Sequence, residues 1–165
     1  MVKFLKLNWR LQIVSYYRVR ESSNAHVEPV EFDEDQNPTA AEFYFDYTIN
    51  REIIGRYGYF AATRGLAEVF QNNGFTGVEF GRADSLIWHG PLLEDEVTLP
   101  DIVLLRIVGR FMKDDLSLNR IDQLVVSEPV YRKLITRDPE TIKVSRELSA
   151  DGKPILSPGV ELRDD

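Results

Sequence analysis

Cysteine is absent from this chain of 165 residues, and histidine is scarce. The lack of cysteine excludes disulfides, thiolate catalysis and metal sites built on cysteine. The two histidines, His26 and His89, do not lie in a metal-ligand spacing such as HExxH. The sequence therefore indicates no metal site, and no motif in it predicts a cofactor.

Long apolar runs are also lacking. The longest, IVLLRIVG at residues 102 to 109, is far too short to cross a bilayer. The first residues alternate between apolar and polar side chains and do not form the continuous apolar segment of a signal peptide. We therefore expect a cytoplasmic protein with no membrane partner.

Basic residues are outnumbered, since 20 Lys and Arg stand against 27 Asp and Glu and leave a net charge of -7. A nucleic-acid-binding protein usually carries a basic face that neutralises phosphates, so this balance argues against that class. Neither GxxxxGK[ST] nor GxGxxG occurs, so the common glycine-rich loops that bind phosphate are absent from the sequence. An acidic surface favours a basic protein as the partner.

The chain length and the hydrophobic periodicity predict one α+β domain spanning residues 1 to 165. We expect a mostly antiparallel or mixed sheet of six to eight strands with two or three helices. Strands are predicted at 2–20, 42–48, 75–81, 84–89, 101–111, 121–127 and 140–148, and helices within 50–73 and at 128–135. Residues 21–40 read as an acidic surface loop, and residues 151–165 as an irregular tail.

Ser127 stands where the apolar run LVV meets the helical pattern EPVYRKLI. A nucleophilic serine on a strand-to-helix elbow needs glycines two residues before and after it. Val125 and Pro129 occupy those positions, so the elbow is excluded. Serine is a favoured helix N-cap, and proline is tolerated in the first turn, so the pattern predicts a capped helix.

Acidic residues cluster in three segments of the sequence. Their spacing at 33–37 resembles the start of a calcium loop, but the required glycine and glutamate are replaced by Pro38 and Tyr44. The clusters are then either solvated loops or an anionic surface that attracts a basic protein. On the second interpretation, the candidate partner-binding residues are Asp33, Glu34, Asp35, Glu94, Asp95, Glu96, Asp114 and Asp115.

The order of segments in the second half is NGFTGVEF (73–80), LPDIVLLRIVGR (99–110), DD (114–115) and LVVSEPVYRKLI (124–135). Over residues 66 to 136 this order resembles bacterial immunity proteins of polymorphic toxin systems, including contact-dependent growth inhibition. The resemblance implies a small, non-enzymatic, cytoplasmic protein that binds and neutralises a cognate toxin domain. Some relatives carry paired CxxC motifs, which this chain lacks. The net negative charge favours a basic nuclease as the toxin.

Two other functions stay open at the level of sequence. A small hydrolase would use His89 together with a nearby carboxylate as its acid–base pair. A small-ligand-binding regulatory module would instead use a pocket lined by Trp88 and tyrosines.

Overall fold

The computed structural model describes residues 14–22, 25–56, 58–88 and 97–155. Over these ranges the chain forms ten strands and three helices. In chain order they are β1 (Tyr16–Val19), β2 (Ala25–Phe32), β3 (Pro38–Phe45), β4 (Ile53–Arg56), β5 (Tyr59–Thr63), α1 (Arg64–Asn72), β6 (Val78–Ile87), β7 (Ile102–Ile107), β8 (Leu116–Leu118), β9 (Leu124–Ser127), α2 (Glu128–Arg137), α3 (Thr141–Val144) and β10 (Ser145–Leu148).

The larger sheet has six strands in the order β2-β3-β6-β7-β5-β4. β3 and β6 run parallel, and the other neighbours are antiparallel. The sheet curls, so that the chain just before β2 meets β4 through a bridge between Ser22 and Ile54. The inner side of the curl is an apolar core formed mainly by Phe43, Phe45, Ile54, Ala61 and Leu104.

The smaller sheet has four antiparallel strands in the order β10-β1-β9-β8. One face of it packs with α1, α2 and the outer side of the larger sheet in a second, shared core. Leu124 and Val126 of the small sheet belong to this core together with Leu105 of the large sheet. Since both sheets and two helices bury their apolar faces in common, the predicted single α+β domain is confirmed. The strand count differs from the prediction, because the expected sheet of six to eight strands is ten strands divided between two sheets.

The central strand and the first helix follow the sequence pattern. β7 lies inside the six-stranded sheet, with Leu104 in the inner core and Leu105 in the shared core, so both of its faces are covered as predicted. α1 buries Leu66, Ala67 and Phe70, the three residues whose spacing predicted one helical face. The predicted helical region is wrong before residue 64, because β4 and β5 form an antiparallel hairpin there.

The loop predicted over residues 21–40 is wrong for most of that segment, which holds β2 and the start of β3. Ala25 and Val27 do alternate with the exposed His26 and Glu28, but acidic residues and two prolines obscure the period of two. Pro29 is tolerated because β2 lies at the edge of its sheet, where a missing N–H breaks no bond to a further strand.

Two further predictions need correction, and two others lie partly outside the described ranges. The two short strands at 75–81 and 84–89 are one strand, β6. The strand at 140–148 exists only from residue 145, since α3 occupies its first half. The strand at 2–20 is described only as β1, because residues 1–13 lie outside the described ranges. The tail at 151–155 is a turn with a bridge between Leu148 and Pro154, and residues 156–165 are likewise outside these ranges.

Two glycines allow the link between β7 and β8 to cross close to the start of β6. The amides of Val108 and Gly109 both donate to the carbonyl of Gly77, at 2.9 and 3.0 Å. A Cβ atom built at Gly109 would lie 1.9 Å from the carbonyl oxygen of Leu116, and one at Gly77 would lie 2.0 Å from it. This contact requires the absence of a side chain at both positions.

Candidate functional site

Asp33 occupies the turn between β2 and β3, where it organises the backbone. Its Oδ1 accepts hydrogen bonds from the amides of Asp35 and Asn37, at 3.0 and 2.8 Å. Its Oδ2 accepts from the guanidinium of Arg106 at 2.7 Å. The amide of Asn37, followed by the charge of Arg106, lowers the pKa of Asp33. Glu34 beside it is exposed, as is Asp35.

Asp114 and Asp115 hold the segment that leads into β8. The Asp114 carboxylate accepts from the backbone amide of Arg110 at 2.7 Å, and this bond is the main reason that its pKa is lowered. Asp115 accepts from the Ser127 hydroxyl at 2.6 Å and from the amide of Thr76 at 3.0 Å. Both carboxylates already accept hydrogen bonds from within the chain. Their contact with a toxin stays a prediction, and the geometry adds no support for it.

Ser127 is the N-cap residue of α2, as predicted, but its side chain makes no capping bond. The hydroxyl donates to Asp115 instead, and the side chain is almost fully buried. A buried hydroxyl must find an acceptor, and the carboxylate provides a stronger one than the helix terminus would. The serine therefore joins β9 to the β7–β8 link. The remaining predicted residues, His89, Glu94, Asp95 and Glu96, lie outside the described residues.

An acidic surface that the sequence analysis missed lies on the outer side of the curled sheet. The register places Glu28 of β2 beside Glu42 of β3, and Glu42 beside Asp84 of β6. The three carboxylates, called the acidic row below, therefore lie side by side on three neighbouring strands. Like charges directly opposite each other destabilise a sheet, so such an arrangement is unfavourable without compensation.

Each member of the acidic row has one partner within the chain. The phenol of Tyr44 donates to Glu42, with 2.5 Å between the oxygens. His26 Nε2 lies 2.9 Å from a carboxylate oxygen of Glu28. Arg82 Nε lies 3.3 Å from Asp84. The pairs of Glu28 and Asp84 are largely solvent-exposed and that of Glu42 is partly buried, so the three pairs reduce the repulsion between the carboxylates without removing the negative field of the surface.

Aromatic rings adjoin one end of the acidic row. The ring of Trp88, which follows β6, meets the ring of Tyr44 at 90° with 5.6 Å between centroids. The His26 ring lies 4.9 Å from the Trp88 ring. Trp88 is 44% exposed and Tyr47 is 47% exposed, although both are large aromatic residues. Exposed aromatic side chains are enriched at binding surfaces.

These rings surround an open cavity of about 310 Å³, called the aromatic pocket below. Its lining residues are Ala25, His26, Tyr44, Asp46, Tyr47, Arg56 and Trp88. The hydrogen bond to Glu42 raises the pKa of Tyr44 to about 12, so the phenol stays protonated and keeps donating at neutral pH.

The free edge of β2 is poorly suited to pairing with a strand of another protein. Pro29 removes one donor from the middle of the strand, and the register shifts between Pro29 and Glu31 and again before Phe32. Prolines and bulges of this kind protect sheet edges from strand addition. Recognition at this part of the fold is therefore better served by the side chains of the sheet face.

The signal for this surface was present in the sequence but hidden. Residues 25–28 alternate between inward apolar and outward polar side chains, which a strand prediction would have used. The parallel pairing of β3 with β6, which brings Asp84 to Glu42, depends on tertiary structure and leaves no local pattern.

Neither a candidate metal cluster nor a helix able to span a membrane occurs in residues 14–22, 25–56, 58–88 and 97–155. No group of three or more His, Asp or Glu side chains able to hold a metal ion occurs in them. None of their helices combines the length and apolarity that a membrane span requires.

No protein-family model matches the chain, and no curated protein is significantly similar to it.

Proposed function

We propose that this protein is a cytoplasmic immunity protein that binds and neutralises a cognate toxin domain without catalysing a reaction. The observation that carries the proposal is the acidic row, in which three neighbouring strands present Glu28, Glu42 and Asp84 on one face, with Glu28 exposed and the other two partly exposed. The net charge of -7 and the resemblance of residues 66–136 to immunity proteins support it.

A basic nuclease is the toxin class that this surface suits best. Such an enzyme needs a cationic cleft to hold its phosphate backbone, and an acidic inhibitor is attracted to the same cleft. The carboxylates of the acidic row repel each other, so a cationic partner gains their attraction and also removes their mutual repulsion. Long-range attraction of this kind raises association rates by about 10- to 1,000-fold at low salt.

The test is rescue in cells, followed by binding kinetics. The candidate toxin is the C-terminal domain of the protein encoded directly upstream of this gene. It is expressed alone to measure its toxicity and then together with the wild-type protein, which is expected to restore growth. Failure of the wild type to protect against that domain would argue against the immunity function.

Variants then locate the binding surface. The triple variant Glu28→Gln, Glu42→Gln, Asp84→Asn is expected to slow association at least about tenfold at low salt and to weaken its salt dependence. A matched control neutralises three exposed carboxylates elsewhere: Glu68→Gln, Asp122→Asn and Glu147→Gln. Equal association rates for the two triple variants would show that the partner does not bind at the acidic row.

The aromatic pocket favours a second candidate, a module that binds a small planar ligand. Its volume of about 310 Å³ lies at the lower end of the range of roughly 300–1,000 Å³ typical of small-molecule sites. A neutral compound that stacks on Trp88 would bind without an ionic contact, which separates this candidate from a site for a cationic protein. The hydrolase alternative rests on His89 and stays a prediction.

A further inference from the structure

We propose that the aromatic pocket receives an arginine side chain of the partner protein and acts as the anchor of the complex. This inference rests on the proposed function, because it names the group that the acidic sheet face would recognise.

The ring geometry suits a flat cation. Trp88 and Tyr44 meet at 90° and form two walls of a corner, while Tyr47 adds a third exposed ring. A guanidinium that stacks on the face of one ring meets the edge or the face of another within the same cavity. Arginine is preferred to lysine at such sites, because its planar, weakly hydrated head stacks on aromatic faces.

The charge around the pocket favours the same occupant. Asp46 lines the cavity, and Glu28 and Glu42 lie at its rim through their bonds to His26 and Tyr44. Arg56 also lines the cavity, so the lining itself holds one carboxylate and one guanidinium, and the excess of negative charge comes from Glu28 and Glu42, which are bonded to two of the lining residues. An incoming arginine can stack on a ring and pair with a carboxylate at the same time, which a neutral planar compound cannot do.

The bonds of the rim hold the walls in place before a ligand arrives. Tyr44 is tied to Glu42, and the backbone amide of Trp88 donates to the carbonyl of Phe45 at 2.8 Å. Phe45 itself is fully buried in the inner core. A pocket fixed in this way loses little conformational entropy when a side chain enters it.

The test uses the intrinsic fluorescence of Trp88 and a defined probe. The chain has two tryptophans, so a Trp9→Phe background leaves Trp88 as the single emitter. N-acetyl-arginine amide is titrated into this protein, and N-acetyl-citrulline amide, its neutral counterpart, into a matched sample. We expect a saturable change in emission with arginine and a much weaker response to citrulline.

Two variants and two controls locate the effect. Tyr47→Ala and Asp46→Asn should each weaken arginine binding by about two- to fivefold, the size expected for an exposed cation–π contact or ion pair. Phe111→Ala removes a ring of similar exposure elsewhere, and Glu68→Gln removes an exposed carboxylate elsewhere, so neither should change the affinity.

An equal response to arginine and citrulline would assign the pocket to neutral planar ligands and overturn the proposal. The absence of any saturable response would overturn it as well. Failure here is distinguishable from failure of the immunity function. If toxin binding is lost in the acidic-row variant but unchanged in Tyr47→Ala, the function stands and the pocket is not its anchor.

Discussion

At the scale of single residues, the bond between Ser127 and Asp115 replaces the expected helix cap. The serine is 1% exposed, and its hydroxyl lies 2.6 Å from the carboxylate. A bond from a buried hydroxyl to a charged acceptor contributes about 1.5–3 kcal/mol, and an orphaned partner loses a similar amount. Local sequence could predict the position of the serine but not its acceptor, which comes from another element.

A double-mutant cycle on this pair tests the scaffold role. Ser127→Ala and Asp115→Ala should each lower the free energy of unfolding by about 1–3 kcal/mol in urea denaturation. The double variant should lose less than the sum, with a coupling energy of about 1–2 kcal/mol. Additive losses would show that the two side chains do not interact, and wild-type stability in both single variants would remove the scaffold role altogether.

Tyr44 supplies a second prediction, which concerns its titration. Its donation to Glu42 raises its pKa to about 12, whereas an ordinary tyrosine titrates near 10. In Glu42→Gln the phenol loses its charged acceptor, so its pKa should fall towards 10. Ultraviolet absorbance of the phenolate, compared with Tyr44→Phe to identify the late-titrating group, measures this shift.

The same shift gives a stability effect of defined sign. The folded pKa of Tyr44 lies above the unfolded value, so the bond stabilises the fold fully below about pH 10. That contribution is lost progressively as pH rises from about 10 to 12. Tyr44→Phe should lack this part of the alkaline decline. An unchanged decline in the variant would show that the bond to Glu42 is not responsible.

At the scale of elements, the crossing of the β7–β8 link over the start of β6 depends on sterics rather than on local conformation. Gly109→Ala would push a methyl group to 1.9 Å from the Leu116 carbonyl, which the backbone can relieve only by moving. We expect this variant to lose more than about 3 kcal/mol of stability or to be recovered as insoluble protein.

Gly74→Ala is the matched control for that substitution. Gly74 follows α1 with φ of 63°, and nothing lies within 4 Å of the added methyl group. Its cost should be only the roughly 1–2 kcal/mol of left-handed conformation in a non-glycine residue. Thermal melts of both variants measure the difference, and equal losses would contradict the steric account.

Elements with a clear local pattern of apolar residues were predictable from the sequence. Elements that depend on their position next to distant strands were not. β7 and α1 carry continuous or helically spaced apolar residues, and both are confirmed. β2 escaped prediction because its outer face is acidic and its edge position tolerates Pro29. The acidic row could not be predicted for a further reason, because the register between strands that are distant in the chain leaves no local sequence pattern. Sequence reasoning therefore identified the acidic clusters that are contiguous in the chain and missed the row of carboxylates that the strand register assembles.

At the scale of the whole molecule, one shared core joins the two sheets. Leu105 of the large sheet, Val126 of the small sheet and Leu134 of α2 are all buried in it. This shared core is lost if either sheet unfolds, because each sheet provides part of the surface that covers its neighbour. The two sheets should therefore unfold in one cooperative transition.

Hydrogen exchange of Leu134→Ala tests this cooperativity. Truncation of the buried leucine should cost about 2–5 kcal/mol, and the slowest amides of β7 and β9 should lose equal protection. Ile121→Ala, at a side chain that is 71% exposed, is the control and should leave both strands within about 0.5 kcal/mol of the wild type. If β9 became labile while β7 kept its full protection, the small sheet would be a separate folding unit.

Partner binding on the outer side of the large sheet would then leave the amides of the small sheet unprotected. In the single-unit case that we predict, a partner that binds at the acidic row would protect β9 as strongly as β7, although the two strands lie in different sheets.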